Sequence, residues 1–113
     1  MKLPNYESAV VKPDKLTAYL LCDAHPYGRH KAKFFANFGF ALSHWQLLAD
    51  ALLKHAVLHD VTNVESSDFG VRYVVDGRIM SPDLRNPRIR SVWFIETGTA
   101  LPYFVTAYPL EGK

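Results

Sequence analysis

Ser43-His44-Trp45-Gln46-Leu47-Leu48-Ala49-Asp50-Ala51-Leu52-Leu53-Lys54-His55-Ala56, running on into Val57-Leu58-His59-Asp60-Val61-Thr62-Asn63-Val64, is where the hydrophobic period of this 113-residue chain changes. That change decides the fold class. Up to Ala56, the residues Trp45, Leu48, Ala49, Leu52, Leu53 and Ala56 recur at helical spacing and define one apolar face. Ser43 to Gln46 reads as a capping box, with Leu42 and Leu47 as its hydrophobic staple. From Val57 the period becomes two and the residues become β-branched and aromatic. Strands are expected at 57–64, 70–80, 88–96 and 101–108, separated by turn-rich stretches at 65–68, 81–87 and 97–99. Such short connections leave no room for parallel crossovers, so the sheet should be antiparallel. Asp76-Gly77 reads as a bulge within one long bent strand in preference to a hairpin turn. Helices followed by strands make an α+β domain: three N-terminal helices on one face of a four-stranded antiparallel meander, with the helical layer at 13–56 and the sheet at 57–109.

Towards the N-terminus, residues 1–12 read as an extended arm, with Ala9, Val10 and Val11 as its only strand-like run. A first helix is expected from Pro13 or Asp14, capped by Asp14, with Leu16, Tyr19 and Leu20 on one face and an end near Cys22. A second follows the His25-Pro26-Tyr27-Gly28 turn and runs to Phe38, with Gly39 as the left-handed residue beyond it. Steps of about 100° from Arg29 place Phe34, Phe38, Phe35, Ala32 and Ala36 on one arc, and Arg29, Lys33, His30 and Asn37 opposite. Lys31 breaks the pattern. It falls on the apolar arc, where a charge is costly unless a partner or water reaches it.

Hydrophobic residues make up 49% of the chain and charged ones 21%, which excludes a disordered or collagen-like chain. One cysteine cannot form an internal disulfide, and no apolar run reaches the roughly 18 residues of a membrane span. The opening Met1 to Lys12 lacks the apolar run of a signal peptide, so a cytoplasmic location is expected. The net charge of +2 hides an uneven distribution. Between Asp23 and Asp50 there is no carboxylate, while Arg29, Lys31 and Lys33 supply positive charge. Between Asp83 and Glu96 the same holds for Arg85, Arg88 and Arg90, and residues 50–76 are acidic in compensation. If the two basic blocks meet, the molecule has a cationic face; if they lie apart, they are ordinary solvated surface.

The stretch His25-Pro26-Tyr27-Gly28-Arg29-His30-Lys31-Ala32-Lys33-Phe34-Phe35, with Leu3-Pro4-Asn5, Gly70, Arg72 and Tyr73-Val74-Val75, Ser91-Val92-Trp93 and Val105-Thr106-Ala107-Tyr108-Pro109, resembles a family of small uncharacterised bacterial domains. These occur alone or as C-terminal modules of polymorphic, contact-dependent toxins. The resemblance covers nearly the whole chain, and the family's layout is similar to that of the metal-independent ribonuclease toxins that include barnase, EndoU, the tRNase colicins and RelE. One departure is Pro102-Tyr103-Phe104, where family members usually carry a basic residue. What the resemblance implies is a toxin-type ribonuclease acting on RNA, without cofactor, and held in check by an antitoxin or immunity protein.

Such an enzyme must deprotonate a ribose 2′-hydroxyl, stabilise a pentacoordinate phosphorus and protonate the leaving 5′-oxygen. Histidine suits the proton transfers because its ordinary pKa lies near 6.5. The expected centre places Lys31 on the scissile phosphate, His25 or His30 on the protons, and Thr106 and Tyr108, which share a strand face, on the far side of the phosphate. Arg29, Lys33, Arg72, Arg88 and Arg90 would contact neighbouring phosphates, and Trp93 would stack a base. Each residue also has a plainer reading. Arg29 and His30 suit an exposed helical face, Lys31 can snorkel to solvent, His25 can cap the helix from its turn, and Trp93 suits the core. His44, His55 and His59 read as structural. His55 and His59 stand four apart without a third ligand in any recognisable pattern, so no metal is expected. The rival function is a non-catalytic binding module: an antitoxin, an immunity protein or an RNA-binding domain. No membrane partner is expected, and the oligomeric state is open.

Overall fold

The computed structural model describes residues 1–22, 24–26 and 28–110. Its elements are α1 (Pro13–Lys15), which continues as a π-turn over Leu16–Leu20, α2 (Arg29–Asn37), α3 (Trp45–Leu58), β1 (Val61–Ser67), β2 (Gly70–Arg78), β3 (Arg88–Glu96) and β4 (Tyr103–Pro109). The strands form one antiparallel sheet in the order β1-β2-β3-β4, so the fold is the expected α+β meander with its helices N-terminal to the strands. Among the described residues no helix is long and apolar enough to cross a membrane.

The core lies between α3 and the sheet. Leu48, Leu52 and Ala56 of α3 are fully buried, as are Val75, Ile89 and Trp93 of β2 and β3. A buried polar chain runs through this layer. Trp93 Nε1–H donates to Ser91 Oγ at 2.9 Å, Ser91 Oγ lies 2.8 Å from His55 Nδ1, and His55 Nε2 lies 3.0 Å from the Gly77 carbonyl. The carbonyl can only accept, so Nε2 carries the proton and Nδ1 accepts from the serine hydroxyl. His55 is therefore structural, as expected, and Trp93 is core: its ring is completely buried and offers no face to a nucleobase.

Several expected boundaries move. Val57 and Leu58 belong to α3, because the His55 anchor holds the last turn against the sheet, and His59 N–H closes it on the His55 carbonyl. Glu65, Ser66 and Ser67 belong to β1, which is held by ladder pairing to β2 and by the Glu65–Arg72 ion pair at 2.6 Å. Asp68 and Phe69 alone make the turn. Asp76 and Gly77 pair regularly with Arg90 and Ile89, so no bulge falls there; the space a Gly77 Cβ would occupy is taken by the His59 ring. The capping box does not form either. Leu42–His44 winds as a 3-10 turn, Ser43 Oγ bonds the His44 ring, and Leu42 and Leu47 are both exposed. Asp14 caps nothing: Lys12 is the residue before α1, and Pro13 takes the first helical position.

Gly39 does end α2. It has φ 101°, its N–H bonds the Ala36 carbonyl and the Phe40 N–H bonds the Phe35 carbonyl, which is the Schellman arrangement. The Phe35 and Phe40 rings meet edge to face across it. Arg85, from the second basic block, donates to the Asn37 carbonyl at this same helix end and lies 4.4 Å over the Phe38 ring. At the other edge of the sheet the N-terminal arm makes a single bridge, Val10 to Tyr103, which covers part of β4.

Candidate active site

Two irregularities build the site. The first is the π-turn, where the Leu21 N–H reaches back five residues to the Leu16 carbonyl. A π-turn carries more residues per revolution than an α-helix, so Leu16, Leu20 and Leu21 face the core and Tyr19 is rotated off it. Leu16, Leu20 and Leu21 are buried and Tyr19 is half-buried. The second is a bulge in β4. Trp93 pairs with Phe104 and Val92 with Thr106, which leaves Val105 as the extra residue. Phe104 and Ala107 thus join Trp93 and Ser91 on the face packed against α3, while Thr106 and Tyr108 pair with Val92 and Arg90 on the face turned away from it.

Lys31 closes the arrangement from α2. Its ammonium lies 2.6 Å from the Tyr19 hydroxyl and 3.4 Å from Thr106 Oγ1, and the two hydroxyls are 3.0 Å apart. Lys31 donates to the phenol oxygen, and the phenol proton remains for Thr106. The Tyr19 and Tyr108 rings stand 5.1 and 5.9 Å from the ammonium. The charge on the apolar arc is therefore partnered, not snorkelled. Burial pushes the Tyr19 phenol up, but its hydrogen bonds to Lys31 and Thr106 and the charges of Lys31 and Lys15 outweigh burial and hold it below its ordinary value.

His25 stands at the edge of this triad, its ring edge-on to the Tyr19 ring at 5.0 Å. Its Nδ1 accepts the Gly28 N–H at 3.0 Å, and its carbonyl accepts the Arg29 N–H, so it caps α2 as its turn position suggested. Gly28 is what lets the turn seat against the π-turn: a Cβ there would stand 2.1 Å from the Tyr19 carbonyl oxygen. Gly28→Ala is expected to cost about 1–3 kcal/mol, measurable by urea denaturation, because the clash is with backbone and no side chain can yield. Asp14, Lys15, Ala18, Tyr19, His25, Val105 and Thr106 line a cleft of ≈ 560 Å³ that opens onto the Tyr19 and Thr106 members of the triad.

The other expected residues are placed differently. His30, Arg29 and Lys33 are exposed and line a separate cleft with Ala36 and Leu42, because one helical step for His30 and two for Arg29 and Lys33 turn them away from Lys31. Neither His30 nor these cations join the triad. Arg90 makes a two-pronged pair with Asp76 at 2.7 and 2.9 Å and also bonds Tyr108, which raises its pKa and keeps the Asp76 carboxyl below its usual range. Arg72 is held by Glu65, whereas Arg88 is exposed. The two basic blocks meet at Arg85 against the end of α2 and again where Tyr108 stands between Lys31 and Arg90. Tyr19, the residue nearest the ammonium, carries no sequence signal of its own beyond its position twelve residues before the misfit lysine.

A four-stranded antiparallel meander with a helical layer on one face and a lysine–tyrosine–threonine triad at its edge strand defines a small α+β domain with a polar cleft beside that strand. The chain belongs to the family described as a domain of unknown function (DUF6883), whose model matches residues 2–111. No curated protein and no solved structure matches it significantly.

Proposed function

We propose that the protein is a small ribonuclease of the toxin type, cleaving RNA by acid–base catalysis at the Lys31–Tyr19–Thr106 triad. The observation that supports this most is the ammonium of Lys31, turned inward to 2.6 Å from the Tyr19 hydroxyl and 3.4 Å from Thr106 Oγ1, the two members of the triad that line the cleft. A phosphate seated there meets the remaining ammonium protons and the Thr106 hydroxyl, and charge-assisted bonds of this kind strengthen as charge grows on the phosphoryl oxygens. Attack of the 2′-oxygen on phosphorus forms the new P–O bond, and the bond to the 5′-oxygen breaks. The 2′-hydroxyl proton passes to His25 Nδ1, which exchanges its bond from Gly28 N–H for it. Tyr19, made a stronger acid by Lys31, gives its proton to the departing 5′-oxygen and is left as a phenolate facing the ammonium. The products are a 2′,3′-cyclic phosphate and a 5′-hydroxyl.

The test is incubation of the protein with end-labelled single-stranded RNA in EDTA, with analysis of the termini. Fragments ending in cyclic phosphate support the reading. RNA that is retarded on a gel but stays whole would overturn catalysis and leave a binding module, while RNA neither bound nor cut would remove the nucleic-acid reading altogether.

A further inference from the structure

The face of the sheet that carries Thr106 and Tyr108 also carries the even-numbered residues of β2 and β3, because Gly70, Arg72, Val74, Asp76 and Arg78 pair with Glu96, Phe94, Val92, Arg90 and Arg88. One step along β3 on this face from Val92, the partner of Thr106, stands Phe94, paired across to Tyr103 of β4. The two rings are 5.8 Å apart and inclined at 58°, and both are half-buried. Phe94 leans over Gly70, where a Cβ would come within 2.7 Å of its ring carbons, so the glycine fixes the ring's position. Lys12 holds its ammonium 5.9 Å from the Tyr103 centroid, and Arg72 is the neighbour of Phe94 on β2.

We infer that the Phe94–Tyr103 pair is a stacking platform for a nucleobase of single-stranded RNA adjoining the phosphate held at Lys31. This rests on the ribonuclease reading of the triad. Two residues along a strand span about 7 Å, so the platform lies within reach of a base attached to a phosphate at Thr106. Lys12 stands beside the Tyr103 ring as Lys31 stands beside Thr106, which sets two cations along β4 for a polynucleotide backbone, while Arg72 is taken up by Glu65. Ring faces accept any base, so the platform contributes affinity and register with little sequence preference. It takes the part that Trp93, sealed in the core on the opposite face, cannot play.

The experiment uses RNA dinucleotides, whose single phosphodiester fixes which phosphate sits at Lys31, with a 2′-deoxy 5′-nucleotide that blocks cleavage and an abasic nucleotide on one side of the phosphate or the other. Binding is read by fluorescence anisotropy in EDTA for wild type, Phe94→Leu and Tyr103→Leu. Wild type should lose about tenfold or more in affinity when one of the two bases is removed and little when the other is. The leucine variants, which keep apolar volume but lack a ring face, should bind intact RNA more weakly by a similar factor and be indifferent to the abasic site. Equal sensitivity of wild type to the two abasic positions, or a leucine variant that still tells them apart, would overturn the platform. If a variant fails to fold, the abasic series on wild type decides alone. Normal cleavage of the matching ribose substrate with no abasic effect removes the platform and leaves the ribonuclease reading; position-specific abasic loss without cleavage does the reverse.

Discussion

Replacing Lys31 by alanine is expected to lower kcat for RNA cleavage by about 10²–10³-fold, the range seen when one preorganised donor to a developing oxyanion is removed. Stability should stay within about 1 kcal/mol, because the loss relieves a partly buried charge and leaves Tyr19 and Thr106 bonded to each other at 3.0 Å. The two readouts separate chemistry from folding. Steady-state cleavage and urea denaturation on the same preparation measure both. An undiminished rate would remove Lys31 from the centre.

Acidification is expected to destabilise the fold through His55. Burial, opposed by the Gly77 carbonyl bond, lowers its pKa to about 4, against an ordinary value near 6.5. Between these values the unfolded chain binds a proton that the folded chain refuses, so stability falls as pH drops from 6.5 and levels off below 4. Over that window the His55 share amounts to about 3 kcal/mol. His55→Gln should be less stable at pH 7, because Ser91 and Gly77 lose well-placed partners, yet lack this part of the pH slope. Urea midpoints at pH 7, 5.5 and 4.5 check it. Parallel curves for the two proteins would show that His55 takes no part.

The features of the fold that were readable in the sequence are those set by local periodicity and by single residue types. Gly39 could be placed because a left-handed residue after an apolar helix has few substitutes, and the meander followed from strands joined by short turns. Lys31 was visible as a charge on an arc of phenylalanines, a misfit that an α-helical projection exposes directly. Tyr19 was not. An α-helical projection groups it with Leu16 and Leu20, and only the wider winding of the π-turn, which no residue type announces, turns it towards Lys31.

The same holds for the strands. Period two places Thr106 and Tyr108 together, but also with Phe104; the extra residue at Val105 separates them and decides which face of the sheet carries the site. Trp93 and Phe94 illustrate the consequence. Adjacent aromatic residues in one strand point to opposite faces, and composition does not say which is core and which is surface. His30 and Lys31 are the helical counterpart, neighbours in sequence of which His30 lines the cleft with Arg29 and Lys33 while Lys31 turns to the Tyr19 hydroxyl.

The inward contact of the Lys31 ammonium with the Tyr19 phenol is the point on which the site depends, and NMR titration of the Tyr19 ring reads it without reference to any substrate. With the ring carbon bearing the hydroxyl observed against pH, assigned by Tyr19→Phe, the phenol should titrate below its ordinary value of 10 in the wild type and move upward in Lys31→Ala. A Tyr19 titration that is the same with and without the lysine would contradict the contact and, with it, the active centre.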